Sequence, residues 1–194
     1  MKLYTAPTSP FGRKASIVAL EHGIKLKEES TNPFDSDQLA RLNPMRLIPV
    51  LVLEDNTVLL ESQLICEYLD SIGSGPTLYP ENNHWQWRAR MMIGHGLAEA
   101  SVALRLHLVL PEDEQSATMK NRYRGRISRC LQALDGDLNA LTTGQMRMDK
   151  ITTVTALGHL EFRHGKNWRS ETPNLAHWYD KVLERESFAK TLLQ

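Results

Sequence analysis

The pattern of apolar residues changes at one short segment, residues 73–76 (Gly-Ser-Gly-Pro). Before it, short runs with strand character alternate with stretches in which apolar residues recur at helical spacing. After it, only the helical spacing remains. A Gly, Ser and Pro cluster between periodic segments is typical of a linker. The sequence therefore predicts an α/β domain over residues 1–77 and an all-helical domain over residues 84–194.

The first part of the chain carries the cap and turn signals of an alternating α/β order. Ser9-Pro10 begins a helix, because serine is a good N-cap and proline suits the first helical position. Asp35 or Ser36 caps a second helix, and Ser62 caps a third. A crossover connection makes the first two strands parallel, whereas a tight polar turn pairs the last two as a hairpin. We expect a mixed four-stranded sheet with helices on its faces, its strands lying over 2–5, 26–31, 49–53 and 58–60.

The second part of the chain predicts a helical bundle. Leucine and isoleucine recur at helical spacing over 84–110 and 113–143, and Pro173 opens a last helix. The stretch 149–164 is apolar on most sides, as expected for a helix in the middle of a bundle.

Charge and cysteine content exclude several classes of protein. The chain has 23 Lys and Arg against 23 Asp and Glu, a balance that gives no electrostatic footprint for nucleic acid or an anionic membrane. The four arginines between 122 and 129 predict a solvated helix face, with the rim of an anionic-substrate site as the alternative. The first residues predict a strand and not a signal peptide. Cys66 and Cys130 are typical of free thiols in a reducing compartment. We therefore expect a cytoplasmic protein with no nucleic-acid or membrane partner.

Residues 48–50 (Ile-Pro-Val) indicate a ligand site in the first domain when they are read with their neighbours. Proline cannot donate to a β-ladder, so it belongs at the first residue of a strand, and it biases Ile48 towards extended backbone. A cis bond would turn the Ile48 N–H and C=O away from the strand's own sheet. Helix starts at Ser9 and at Glu61-Ser62 flank this segment in the sequence. We expect the three segments to form one ligand-binding unit.

Four segments of the chain resemble the soluble, serine-type glutathione S-transferases, bacterial members included. Residues 9–14 (Ser-Pro-Phe-Gly-Arg-Lys) are similar to the start of that family's first helix, and residues 43–51 to its Asn-Pro…Ile-Pro-Val-Leu segment. Residues 60–69 are similar to its third-helix signature, and residues 156–163 to the central helix of a bacterial subgroup. The resemblance implies a thioredoxin-like, glutathione-binding domain followed by an all-helical domain that contributes the electrophile site.

The resemblance also implies a reaction. Glutathione would be the co-substrate, and its thiolate would attack a small hydrophobic electrophile in a detoxification role. Ser9 would donate a hydrogen bond to the sulfur at a helix N-terminus, where thiolates are stabilised. Thr8 is a weaker candidate for the same hydrogen bond.

Glutathione binding would involve the other two segments. By the resemblance, the main chain of Ile48 would pair with the cysteinyl part of the tripeptide, and Pro49 would set the geometry. Ser62 would bind the glutamyl carboxylate at a helix N-terminus, and Glu61 would face the ammonium group. The family often has lysine where this chain has Leu47; the preceding Arg46 either reaches the same ligand carboxylate or is a surface charge.

Three further expectations follow from the resemblance. Asp149 fits a capping box whose first position is Met146, so the reciprocal bond is missing and a stability penalty is expected. A homodimer would bring the third and fourth helices together across a two-fold axis. The candidates for the apolar surface of this dimer are Trp85, Trp87, Met91 and Met92, which could equally lie in the interior of the subunit. The candidates for the electrophile site are Arg105, His107 and Trp168, for which a packing role is the alternative.

Other functions remain open at this point. A reductase or dehalogenase on the same scaffold is disfavoured, because reductases of this family mostly have cysteine at position 9 and no cysteine precedes Cys66. A non-catalytic adaptor stays open as an alternative because Leu47 and Met146 depart from the family pattern. The seven histidines have no metal-ligand spacing, and His159 and His164 do not share a helix face, so no metal is expected.

Overall fold

The computed structural model describes residues 1–82 and 84–193, and only the backbone of residue 84. The chain divides into two compact units. The first comprises Met1–Tyr79 together with residues 190–193, and the second comprises Pro80–Ala189. In the part of the chain that is described, no helix is long and apolar enough to span a bilayer.

The first unit is a four-stranded mixed sheet with three helices. The strands are β1 (Lys2–Thr5), β2 (Lys27–Ser30), β3 (Val50–Val52) and β4 (Val58–Leu60), and the helices are α1 (Pro10–Glu21), α2 (Asp37–Leu42) and α3 (Ser62–Ile72). The sheet order is β2-β1-β3-β4, with β1 parallel to β2 and antiparallel to β3, and with β3 antiparallel to β4. This confirms the predicted sheet.

Local side-chain chemistry explains where these helices begin. Ser9 caps α1, and of the two candidates for α2 the cap is Ser36, whose hydroxyl accepts from the backbone N–H of Leu39. The prediction that Ser62 caps α3 is wrong by one residue. Glu61 occupies the cap position with φ of 70°, and Ser62 is the first helical residue. Serine in the sequence favours a cap, but the turn out of β4 places the preceding residue there.

Each face of the sheet packs against its own helices. Tyr4 and Val50 are paired across β1 and β3 and form a buried cluster with Leu39 of α2. Leu3 and Leu51, one position along each strand, point to the opposite face because side chains alternate across a strand. On that face α1 and α3 pack against each other. This arrangement buries one side of both helices and fixes the directions of their N-termini.

The second unit consists of helices. Helix α7 (Met148–His164) passes through its middle and packs against α4 (His84–Leu108), and every residue from Met148 to Leu160 is buried. The apolar helix predicted over 149–164 is therefore the core helix of this unit. The helices are α4 (His84–Leu108), α5 (Ala117–Gly136), α6 (Leu138–Thr142), α7 (Met148–His164), α8 (Trp168–Glu171), α9 (Pro173–Val182) and α10 (Glu186–Ala189), with a 3-10 turn at Glu112–Glu114.

The single long helix predicted over 113–143 is wrong. The chain forms α5, then α6, with Asp137 between them at φ of −106°. Glycine is a poor helix former, and the Gly136-Asp137 pair interrupts the helix. Leucines continue at helical spacing on both sides of the interruption, which is why the spacing did not reveal it.

The start of α7 is held by charged side chains and not by a capping box. The N-cap residue is Arg147, and the carboxylate of Asp149 is fully buried. One carboxylate oxygen accepts from Arg90 at 2.6 Å and from Arg147 at 3.1 Å. Arg147 also donates to the Ala140 carbonyl at 3.0 Å. The capping position predicted at Met146 is therefore wrong by one residue, and two guanidinium groups satisfy the carboxylate.

Candidate functional site

The N-terminus of α1 presents a serine hydroxyl. Ser9 is mostly buried, and its Oγ accepts a hydrogen bond from the backbone N–H of Gly12 at 3.2 Å. Because this bond uses an acceptor lone pair, the hydroxyl proton can still be donated to a ligand. First-turn N–H groups add positive potential at the same place. Thr8, the alternative, is half-buried.

The position of Ser9 depends on close packing between α1 and β1. A Cβ atom added to Gly12 would lie 1.7 Å from the Oγ1 of Thr5, so only glycine permits this approach. Thr5 ends β1 and Gly12 lies in the first turn of α1. The contact therefore holds the first turn of α1 against the strand that precedes it.

The loop before β3 is organised by a buried asparagine. Asn43 donates from Nδ2 to the Leu47 carbonyl at 2.8 Å, and its Oδ1 accepts from the Met45 N–H at 3.0 Å. Arg46 donates its backbone N–H to the Asn43 carbonyl at 2.9 Å and has φ of 53°. No role was assigned to Asn43 from the sequence. The residue type itself indicates such a role, since asparagine side chains often form hydrogen bonds with the main chain a few residues further along.

The Ile48–Pro49 bond is cis, and Pro49 is buried where β3 begins. Ile48 is half-buried against the cluster of Tyr4, Leu39 and Val50. Arg46 and Leu47 are exposed.

The N-terminus of α3 combines one exposed carboxylate with one buried hydroxyl. Glu61 is exposed, and its carbonyl accepts from the Ile65 N–H at 3.0 Å. Ser62 is fully buried, and its Oγ has no hydrogen-bond partner among the described residues. A helix N-terminus attracts anions through its free N–H groups.

Strand register brings the three segments to one end of the sheet. Tyr4 lies opposite Val50, and Val50 lies opposite Leu60. Because β3 is antiparallel to both neighbours, the end of β1, the start of β3 and the end of β4 meet at the same edge of the sheet. Ser9, Pro49 and the first turn of α3 all extend from that edge. The topology thus brings together the three segments that are expected to bind one ligand.

The cysteines do not provide a nucleophile. Cys66 and Cys130 are free. Cys66 is fully buried in α3, and desolvation raises the pKa of its thiol to about 12. Burial also raises the pKa of Cys130, which is half-buried. Among the described residues, no group of His, Cys, Asp and Glu could hold a metal ion.

The candidates for the electrophile site have different surroundings. Trp168 is buried and packs edge to face on Tyr179, with ring centroids 5.9 Å apart. The Nε2 of His107 accepts from the backbone N–H of Ser116 at 2.8 Å, at the start of α5. Both side chains therefore make structural contacts, whereas Arg105 is exposed.

Of the four apolar candidates for a subunit interface, two are buried and two are exposed. Trp87 and Met91 are buried in the second unit, whereas Trp85 is 76% exposed and Met92 is 47% exposed. On α3, Leu64 is also half-exposed.

Comparison with known proteins identifies the family of the chain. A family model described as glutathione S-transferase, N-terminal domain, matches residues 3–77. The chain is 32% identical to the uncharacterized GST-like protein YibF of Escherichia coli K12 over 98% of both chains. It is 34% identical to glutathione S-transferase D7 of Drosophila melanogaster, over 100% of this chain and 93% of the fly protein.

A crystal structure extends the comparison. A glutathione transferase family member from Pseudomonas fluorescens Pf-5, crystallised with bound glutathione, superposes with a TM-score of 0.93 at 29% identity, over 100% of this chain and 98% of that one. The chain belongs to the glutathione S-transferase family. The resemblance drawn from four sequence segments is confirmed.

Proposed function

We propose that this protein is a glutathione transferase that activates the thiolate of glutathione for attack on a small apolar electrophile. The observation that carries the proposal is the Ser9 hydroxyl, which caps α1 at the sheet edge from which Pro49 and the start of α3 also extend. The related protein from Pseudomonas fluorescens binds glutathione, which supports the choice of ligand.

In the proposed complex, three segments bind the tripeptide. The main chain of Ile48 pairs with the cysteinyl residue in the manner of an added β-strand, and Pro49 sets its geometry. The glutamyl carboxylate lies at the α3 N-terminus near Ser62, and Glu61 faces the ammonium group. Many members of the family have a lysine at the position of Leu47. Arg46, one residue earlier, is the candidate cation that binds the other end of the ligand in this chain.

Ser9 acts by stabilising charge. A free thiol has a pKa of roughly 8.5, and a helix N-terminus lowers it. The thiol proton leaves to solvent, and the Ser9 hydroxyl donates to the sulfur that remains. The sulfur lone pair then forms the new S–C bond. In a substitution, the bond between the electrophile and its leaving group breaks, and the bonding electrons leave with that group. In an addition, the anion formed on the electrophile takes a proton from water.

The proposal extends to location and assembly. Two free cysteines suit the reducing cytoplasm. A homodimer would cover Leu64, Trp85 and Met92, which are exposed apolar side chains. Sedimentation velocity at several protein concentrations distinguishes a dimer from a monomer.

Glutathione titration tests the function. The ultraviolet absorbance of the thiolate should increase as glutathione binds at neutral pH, and conjugation of an activated aryl halide should follow. Binding without a thiolate signal or turnover would favour the adaptor that Leu47 suggests, and no binding at millimolar glutathione would reject a transferase. Reduction of disulfides as the main activity would favour the reductase, although the buried Cys66 is poorly suited to it.

A further inference from the structure

Lys14 is a buried lysine that the proposed reaction does not use. The side chain lies in α1, is 1% exposed, and its Nζ has no hydrogen-bond partner within residues 1–82 and 84–193. Burial lowers the pKa of its ammonium group, while the nearby Cys66 and Glu61 act in the opposite direction. A buried amine with no partner is rare in proteins and calls for an explanation.

Lys14 lies where α1 packs against α3, near enough to Glu61 and Cys66 to interact with both electrostatically. Helices α1 and α3 pack against each other. Ser62 and Cys66 are one helical turn apart, so they share a face of α3, and both are fully buried. The Ser62 hydroxyl is also unpartnered. Two unsatisfied polar groups, one from each helix, therefore belong to the buried region next to the α3 N-terminus.

The protein supplies little counter-charge for Lys14. The Cys66 thiol, with its pKa of about 12, is uncharged at neutral pH. Glu61 is exposed, so solvent screens its charge. A buried charge without a close partner is costly, and an anion bound nearby offsets that cost.

We propose that Lys14 is a positioning residue for glutathione, whose glutamyl carboxylate at the α3 N-terminus is the counter-charge of the buried amine. This inference rests on the proposed function. Lys14 acts through the first turn of α3 and does not touch the reacting sulfur. It makes the site selective for ligands with a free carboxylate at this end over ligands with a neutral amide.

A thermodynamic cycle tests the coupling. The proteins are the wild type, Lys14→Met and the control Lys27→Met, which removes an exposed lysine of β2. The ligands are S-methylglutathione and its analogue with the glutamyl carboxylate converted to a carboxamide, each measured by calorimetry. For each protein we compare the Kd of the carboxamide with the Kd of S-methylglutathione. This ratio should be about tenfold larger in the wild type and in Lys27→Met than in Lys14→Met.

The outcomes separate this inference from the proposed function. If the wild type binds S-methylglutathione and the carboxamide weakens binding equally in all three proteins, the Lys14 inference is wrong and the proposed function stands. If the wild type binds neither ligand, both are wrong. A lysine that only supports folding would change stability without changing the ratio of the two affinities.

A second measurement needs no folded Lys14→Met protein. In wild-type protein with 13C-labelled lysine, the Lys14 Cε resonance should shift when S-methylglutathione binds, and shift much less with the carboxamide. Lys14→Arg assigns the resonance. An identical response to both ligands would overturn the inference.

Discussion

Ser9 has two functions on one oxygen atom, because it caps α1 through the Gly12 N–H and donates to sulfur in the proposed reaction. We expect Ser9→Ala to lower kcat/KM for conjugation by about 100-fold, as for other lost donors to a developing or bound anion. The lost cap should cost about 1 kcal/mol of unfolding free energy. Steady-state kinetics and urea unfolding measure the two effects separately.

Ser36→Ala is the matched control for that substitution. Ser36 caps α2 by the same geometry, accepting from the Leu39 N–H at 3.1 Å. It should therefore lose similar stability and keep wild-type turnover. Equal turnover in Ser9→Ala and Ser36→Ala would remove Ser9 from the mechanism.

At the scale of elements, the contact between α1 and β1 limits residue 12 to glycine. In Gly12→Ala the new methyl group would overlap Thr5, and relief requires a shift of α1 or of the strand. We expect a loss of about 1–3 kcal/mol in unfolding free energy, together with weaker glutathione binding because Ser9 moves with the helix.

Gly136→Ala is the corresponding control in α5. A Cβ atom there meets nothing within 4 Å, and residue 136 is the last of the helix, so the substitution should leave the unfolding free energy unchanged or raise it by less than about 1 kcal/mol. Thermal unfolding of both variants checks that only Gly12→Ala is destabilised. Destabilisation of Gly136→Ala to the same degree would show that steric overlap is not the cause at position 12.

The buried ion cluster at the start of α7 is another element-scale feature. Asp149→Asn removes a fully buried carboxylate that lies 2.6 Å from Arg90, which keeps its second pair with the half-exposed Asp137 at 2.6 Å. Removing one partner of a buried pair costs about 3–5 kcal/mol, and the remaining Asp137 contact places the expected cost at the lower end of that range. Glu99→Gln breaks the exposed pair with Arg126 and should cost at most about 1 kcal/mol. Chemical denaturation of both variants measures the difference, and similar costs would contradict the importance of burial.

At the scale of the whole molecule, His159 makes stability depend on pH. Its Nδ1 lies 2.8 Å from the Ser101 hydroxyl, and burial, with smaller contributions from Arg163 and His164, lowers its pKa from 6.5 to about 3. Between these values the unfolded chain binds a proton that the folded chain does not. The unfolding free energy should therefore fall as pH decreases below 6.5, by up to about 1.4 kcal/mol per pH unit.

Urea unfolding from pH 7 to pH 4.5 tests this dependence. His159→Gln should flatten the curve, leaving a slope of the same sign from His164, whose pKa is also lowered. His177→Gln, at an exposed position, should keep the wild-type slope. An unchanged slope in His159→Gln would assign the acid sensitivity to other groups.

Much of the fold was predictable because its signals are local. Ser9 and Ser36 cap helices whose first N–H groups need an acceptor within three residues. Pro49 precedes β3 because proline has no N–H for the ladder. Once the strand order is known, these signals also place Ser9, Pro49 and the start of α3 at one sheet edge.

Features that depend on which surfaces meet needed the tertiary structure. Met91 and Met92 are equally apolar in the sequence, yet only Met91 is buried in the folded chain. Arg90 and Asp149 are 59 residues apart and meet only because α4 packs on α7. The sequence alone determined the order of strands and helices in the first unit and the cap of α1, since those follow from hydrogen bonds within a few residues. Only the tertiary structure decided that Lys14 is buried where α1 packs against α3, because burial depends on residues brought close by folding.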